Sequence, residues 1–444
     1  MIKNLTEGSP RKVLLSFTIP IFFSTIFQQF YTIADSIIAG KFAGEDALAA
    51  IGASYPLTMV FMAVSLGSNT GCSVIISQLF GAGRIKDMKT AVSTAMLSLA
   101  VLSAVLTAIA LVFSPWIMTA LNTPDNILAD ANTYFKIYIG GFIFLSLYNI
   151  ANGAFTALGD SKTPLWFLIG SSVANIVLDY VFVAVFPWGV AGAAWATFIS
   201  QGAACILSVI CLINRLRSMQ SERHKYFSFS SLRSIAKVSS QTILQQSFVS
   251  VGNMLVQGII NDYGSAVIAG YAAATKLNTF SIAGICTVSN AMSAFTAQNI
   301  GARNYERIKK GYRASVGIIM CIALTLTAAY TLFGDFFVNL FLKSDSSVET
   351  LESGTVFLMV VAPFYPVVSI KLLSDAVTRG AGALKLFAIS TFADLIIRVG
   401  LSYALSPSLG IMGVAYSWPI GWAIGAVIAY LFYRFGNWRN YNLT

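Results

Sequence analysis

Charge is what this sequence has least of. Only 10% of its 444 residues are Asp, Glu, Lys or Arg, against about 25% in a soluble domain. So few charges cannot cover a water-facing surface, and most of this surface must therefore face lipid. The two or three soluble domains that the length alone would suggest are excluded on the same ground. Histidine occurs once, as His224, among other charged residues where a solvated side chain is expected. The five cysteines (Cys72, Cys205, Cys211, Cys286, Cys321) fall at or within apolar stretches and form no CxxC pair. An odd count buried in apolar segments does not make a disulfide framework, so each reads as packing. The chain has no GxxxxGK[ST] loop to cradle a nucleotide, and no HExxH or GxSxG. No enzyme motif is left, and uphill work would have to draw on an ion gradient.

What the chain has is apolar length. Hydrophobic residues make up 56% of it. Runs long enough to cross a bilayer, about 20 residues each, are predicted near 13–38, 52–80, 91–116, 134–157, 165–187, 190–213, 235–261, 270–299, 312–341, 353–378, 385–405 and 411–433. The first run lacks a small-residue cleavage site and is too long for a signal h-region, so it is kept as a span. The predicted fold class is an all-α membrane protein with twelve transmembrane helices in two pseudo-symmetric six-helix bundles.

The net charge of +10 does not point to nucleic acid, because its distribution is a topology signal. Of the 28 Lys and Arg, 22 lie in the termini and one alternate set of loops, among them Lys3, Arg84, Lys162, Arg303, Lys385 and Arg434. The opposite loops hold only Lys41 and Lys343. This is the positive-inside pattern, and it puts both termini in the cytoplasm of a plasma (cytoplasmic) membrane protein. The longest polar stretch divides the chain into an N-lobe (1–213), a cytoplasmic linker (214–234) and a C-lobe (235–444).

The halves repeat each other. IFQQFYTIAD at 26–35 parallels ILQQSFVSVG at 243–252, and SQLFGAGRIKDMK at 77–89 parallels AQNIGARNYERIK at 297–309. FTALGDSK at 155–162 parallels VTRGAGAL at 377–384, and GVAGAAWA at 189–196 parallels GIMGVAYS at 410–417. Four matches in the same order, each offset by 217 to 222 residues, mark a duplication. Six spans per half give a parallel repeat, with a substrate site expected between the halves near the midplane.

Ionisable residues inside spans usually mark a pathway or a relay, because each is costly in hydrocarbon. In the N-terminal half, Asn175 and Asp179 are four residues apart on one helical face. Asp179 lies about 12 Å below the outer turn at Pro187, and Thr197 about 15 Å below it on the next span, at 1.5 Å per residue. Asp35 lies near the outer end of the first span. Two carboxylates, an amide and a hydroxyl make an oxygen-rich pocket that either binds Na⁺ or shares a proton; the bland reading is a buried network that only fixes packing. In the C-terminal half, Lys276, Lys371, Asp375, Asp394 and Arg398 give three cations against two acids. One unmatched charge would let Lys276 or Lys371 favour an anionic group on the substrate. Gln28 and Tyr31, with Gln245 and Asn253 at repeat-related positions, are further candidates for a central cleft. Tyr148, Tyr271, Tyr365 and Trp418 could offer aromatic faces, and Pro20 is a candidate hinge in the first span.

The Pro-containing first span ending in YTIADSIIAG, the GAGR and GDSKTP loops, and NIVLDYVF followed by GVAGAAWATFISQG together resemble the multidrug and toxic compound extrusion (MATE) family of the MOP superfamily. The resemblance covers essentially the whole chain. It implies two six-helix bundles and an antiporter that exports amphiphilic or drug-like compounds by alternating access, driven by H⁺ or Na⁺. It also implies a cation site at Asp35, Asn175, Asp179 and Thr197, each matching a family position. Some members use an acid in the seventh span, and TILQQSFVSVGNMLVQGII has none. No cofactor is expected beyond the coupling ion. The expected partners are small-molecule substrates and membrane lipid, with no nucleic acid or nucleotide, and the chain is expected to work as a monomer. The alternative is a MOP-superfamily flippase for a lipid-linked saccharide or another anionic amphiphile.

The charge partition makes a direct prediction. Single cysteines introduced at positions 220–226 should react with an impermeant thiol reagent only from the cytoplasmic side; labelling only from outside would reverse the orientation.

Overall fold

A computed structural model describes residues 4–120, 123–342 and 347–441; Lys3 and Lys343, counted above, lie outside the described residues. Helix is the only regular structure among these residues. Lipid offers no water to backbone N–H and C=O groups, so a span must satisfy them within itself. The first half runs through α1 (Pro10–Ile38), α2 (Glu45–Gly81), α3 (Ile85–Ala120), α4 (Asp125–Gly140), α5 (Phe142–Ala157), α6 (Lys162–Asp179) and α7 (Gly189–Ser218). The second runs through α8 (Phe229–Asn261), α9 (Ser265–Gly301), α10 (Tyr305–Asn339), α11 (Val348–Val361), α12 (Tyr365–Ala381), α13 (Leu384–Leu409) and α14 (Ile411–Phe435). Among the described residues, ten helical stretches are long and apolar enough to cross a membrane, and α4 with α5, bent by 44°, makes an eleventh. The twelfth is α13, whose 26 residues reach about 39 Å at 1.5 Å per residue. This is an all-α membrane architecture of twelve spans.

All but the last of the helical spans begin before the predicted boundary, and several also end beyond it, because polar residues that leave the hydrocarbon can remain helical. Irregular chain between α7 and α8 is confined to residues 219–228, shorter than the polar stretch 214–234. Arg215 and Arg217 sit in the last turn of α7, where cations suit the helix dipole.

The duplication is visible in the backbone. Gly44 and Gly264 precede the second helix of each half at φ 92° and 86°, and Gly189 and Gly410 precede the last at 56° and 59°. The turn after α2 has Gly83 at φ 72°, while the turn after α9 has Arg303 at φ 56°. That region is unfavourable for a side chain, so the repeat has kept the turn while changing its residue. The fourth span is broken in both halves, at Gly141 in the first and at the 3₁₀ turn Ala362–Phe364, beside Pro363 and Pro366, in the second.

Two compact units emerge, one comprising essentially Ile19–Ile243 and the other Leu5–Thr18 with Leu244–Leu443. The start of α1 therefore packs with the second unit, and the start of α8 with the first. In the second unit, Leu5 is fully buried and its N–H donates to Gln298 Oε1 at 2.9 Å. Arg307 donates to the carbonyls of Leu5 (3.1 Å), Gly8 (2.6 Å) and Glu7. In the first unit, α3 holds the segment before α8: Lys89 Nζ donates to Met219 O at 2.6 Å, and Thr94 Oγ1 accepts from the Ser228 N–H at 3.0 Å. At the α5–α6 turn, burial opposes the charge of Asp160. Hydrogen bonds from the N–H and hydroxyl of Thr163 more than offset it and hold the carboxyl below the usual carboxylate range.

Small residues set the closest helix contacts. A Cβ on Gly270 of α9 would collide with the Thr350 carbonyl oxygen, and one on Gly354 of α11 would stand 2.7 Å from the Gly270 carbonyl oxygen. Gly270→Ala should therefore cost about 1–3 kcal/mol of stability through forced backbone movement. Gly258→Ala in α8, where nothing lies within 4 Å, should cost little. Thermal unfolding in detergent would check this, and equal melting temperatures for the two variants would contradict it.

Candidate functional site

In the first unit, two π-helical turns end the helices that carry the acids. One covers Ala39–Ala43 after α1 and the other Tyr180–Val185 directly after Asp179. Such turns are rare and gather at functional sites. They pack against each other, with the Phe42 and Tyr180 rings edge to face at 5.7 Å. This contact draws the ends of α1 and α6 together and brings the Asp35 carboxyl within hydrogen-bonding reach of Asp179. Gly192 of α7 lets that helix approach the π turn closely, since a Cβ there would lie 2.9 Å from the Phe182 carbonyl oxygen.

Asn175 organises the rest. The surrounding donors and acceptors orient its amide so that Nδ2 donates to Asp179 Oδ2 (2.9 Å) and to the Tyr31 hydroxyl (3.2 Å), while its oxygen accepts from the Thr197 N–H (3.1 Å). The opposite orientation would leave a single 3.5 Å contact with Thr197 Oγ1. Asp179 and Asn175 are 1% and 2% exposed, and Asp179 Oδ1 has no hydrogen-bond donor. Among the described residues, neither Asp35 nor Asp179 forms an ion pair. Facing carboxylates without a counter-charge need a proton or a metal cation between them.

A cavity of about 120 Å³ opens in the same unit. Tyr31 and Asn175 line it, and Asn175 bonds to Asp179; Gln28, Tyr148, Asn149, Ser172 and Gln201 belong to its polar wall. The sequence offered Gln28 and Tyr31 as candidates for a central cleft between the halves; the structure puts them in this cavity inside the first unit. Ser172 and Gln201 escaped the sequence reading, although a signal was present. Ser172, Asn175 and Asp179 share one face of α6, and Gln201 is one turn from Thr197.

The charges of the second unit are arranged differently. Lys371 and Asp375 of α12 are each 4% exposed and pair at 3.1 Å, and Lys371 also reaches Asp394 Oδ2 of α13 at 3.5 Å. Ser390 donates to the other oxygen of Asp375 at 2.5 Å. Room for the pair comes from α14, where a Cβ on Gly425 would lie 2.7 Å from Lys371 Cε and one on Gly421 2.8 Å from Asp394 Oδ1. Arg398 stacks on Trp418, 4.3 Å from the ring centroid. Lys371 is thus neutralised inside the unit. Of the other two cations in the sequence count, Arg398 is buried, forms no ion pair among the described residues and leaves its Nε without a hydrogen-bond partner, while Lys276 is exposed on α9. Gln245 is buried and donates to Thr391 Oγ1 at 3.0 Å, whereas Asn253 is exposed. Pro20 lies within the continuous α1, next to the point where the compact units divide the helix.

Twelve helical spans in two matching halves, with charge buried inside them, define a multi-pass membrane protein. The family model described as MatE matches the chain twice, over residues 20–181 and 242–404, once in each half. The chain belongs to this family, MatE. It is 29% identical over 438 residues to the "Probable multidrug resistance protein YpnP" of Bacillus subtilis, covering 98% of this chain and 97% of that protein. Over 349 residues it is 23% identical to the "FAD transporter" of Shewanella oneidensis, covering 77% and 76%. A solved structure described as the outward-facing conformation of a multidrug resistance MATE family transporter superposes with a TM-score of 0.90 at 24% identity, covering 97% of this chain and 96% of that one.

Lys371→Met should leave two buried carboxylates without their cation and cost about 3–5 kcal/mol. Adding Asp375→Asn should recover part of that loss. Thermal unfolding of the single and double variants checks the pairing, and an unchanged melting temperature in Lys371→Met would refute it.

Proposed function

We propose that this protein is a secondary active antiporter that exports small amphiphilic or drug-like compounds by alternating access, driven by a proton or Na⁺ gradient across the plasma membrane. The observation that carries this reading is the facing Asp35–Asp179 pair with no cation beside it among the described residues. In the second half the corresponding duty of charge balance falls to Lys371; in the first half no lysine or arginine among the described residues takes it. A travelling H⁺ or Na⁺ is then the group that completes the site, held by Asp35, Asp179 and Asn175, with Thr197 as a neutral ligand. Asn175 and Tyr31 belong both to this site and to the wall of the 120 Å³ cavity, so loading the site can alter the cavity. Pro20 serves as the hinge of α1, both termini are cytoplasmic, and the chain acts as a monomer. The relatives bearing multidrug names support the export of drug-like compounds.

A second reading has its own observation. Lys276 is exposed on α9 and has no ion pair among the described residues, and one relative is named for the transport of FAD, a phosphate-bearing amphiphile. An anionic amphiphile is therefore the alternative substrate class.

Transport into proteoliposomes under separately imposed Na⁺ and proton gradients tests the first reading. Asp35→Asn and Asp179→Asn should each abolish gradient-driven export while the protein still folds. Asn175→Ala and Thr197→Ala should slow it by roughly tenfold, the worth of one hydrogen bond to a charged group. Wild-type export by a folded Asp35→Asn, Asp179→Asn double variant would refute the assignment. A shift in preference between cationic and anionic substrates on Lys276→Ala would favour the second reading.

A further inference from the structure

The first turns of α1 lie beside α10 in the second unit, and between them runs a groove of about 560 Å³. Its mouth carries Arg11 and Arg313, both exposed. Among the described residues neither arginine pairs with a carboxylate. Lys310, one turn before Arg313, is also exposed and adds a third cation. The remaining wall is apolar and small, with Leu15 on α1 and Gly317, Ile318 and Cys321 on α10. Nothing lies within 4 Å of the point where a Cβ on Gly317 would stand, so the floor is open there. From Arg313 to Ile322 the groove follows α10 for about 13 Å at 1.5 Å per residue. The helix is peripheral, with only 17% of its most apolar stretch buried.

We propose that this groove binds one phospholipid with a net negative headgroup. Two exposed arginines, without acidic partners among the described residues, form a position at the end of a membrane span that suits an anion. A phosphodiester meets planar guanidinium groups with matched, charge-assisted hydrogen bonds. The apolar slot continuing into the membrane from that point accepts an acyl chain, which free phosphate could not fill. A neutral lipid would fill the slot but leave the headgroup position overall positive. The occupant ties the start of α1 to α10, and α1 is the helix that carries Pro20 and Asp35. Anionic lipid at this groove therefore steadies the end of α1 that lies away from the facing carboxylates.

Native mass spectrometry of the full-length protein in detergent, titrated with phosphatidylglycerol or phosphatidylcholine, tests the proposal. Wild type should retain one phosphatidylglycerol in preference to phosphatidylcholine. The Arg11→Gln, Arg313→Gln double variant should lose that preference, with phosphatidylglycerol binding weakened roughly thirty-fold, the worth of two basic contacts to an anionic lipid. Gly317→Leu, which fills the slot and leaves the arginines in place, should weaken retention of both lipids. Arg233→Gln, on another helix of the same basic side, should change neither. Equal retention of the two lipids by wild type would mark the groove as an acyl slot without headgroup recognition and overturn the proposal. So would unchanged phosphatidylglycerol binding in a folded double variant or in Gly317→Leu, and so would displacement by inorganic phosphate at matched concentration.

Discussion

A charge placed in hydrocarbon must find a partner, and in this protein that requirement decides which helix faces meet. Each half buries two carboxylates within its spans, and each meets the requirement in its own way. In the second half Lys371 stands between Asp375 and Asp394, and α14 gives up two side chains, at Gly421 and Gly425, to let it do so. In the first half the carboxylates of Asp35 and Asp179 face each other, the Asn175 amide links Asp179 to Tyr31 and Thr197, and among the described residues no cation pairs with either acid. The first arrangement carries its own cation. The second has none among the described residues, and facing carboxylates need a proton or a cation between them.

The duplication makes this contrast informative. The two halves share the turns at Gly44 and Gly264, at Gly83 and Arg303, and at Gly189 and Gly410, with closely similar backbone angles. They also share a break in the fourth span. Geometry has been kept while the buried chemistry has diverged, so the scaffold is one solution used twice and the division of labour lies in side chains. The two π turns that end α1 and α6 belong to that specialisation, since they hold the acids of the first half in register. Among the described residues, the second half ends neither α8 nor α13 with such a turn.

Much of this was legible from residue order alone. Scarce charge and long apolar runs imply twelve spans, because lipid admits only segments that satisfy their own backbone. The ordered matches between halves define a duplication without any coordinates. Spacing also put Asn175 and Asp179 on one face, and gave Asp179 and Thr197 similar depths on neighbouring spans. Depth along a helix is a linear property of sequence, since each residue advances the axis by the same amount.

Rotation about the axis and the choice of neighbour are not linear properties, and those the tertiary structure decided. Sequence counted three cations against two acids in the second half but could not say which would pair; packing gave both acids to Lys371, stacked Arg398 on Trp418 and left Lys276 exposed. It could not foresee that α1 would begin in one compact unit and continue in the other, because that depends on Leu5 and Arg307, about 300 residues apart, meeting at one place. Nor could it assign Ser172 and Gln201 to a cavity wall, since serine and glutamine occur throughout these spans and only the contact between helices selects which of them face inward. Local physics makes the helices; which side chains meet is settled by long-range packing, where small residues such as Gly192, Gly270 and Gly425 let backbones approach closely enough for a few polar groups to find one another.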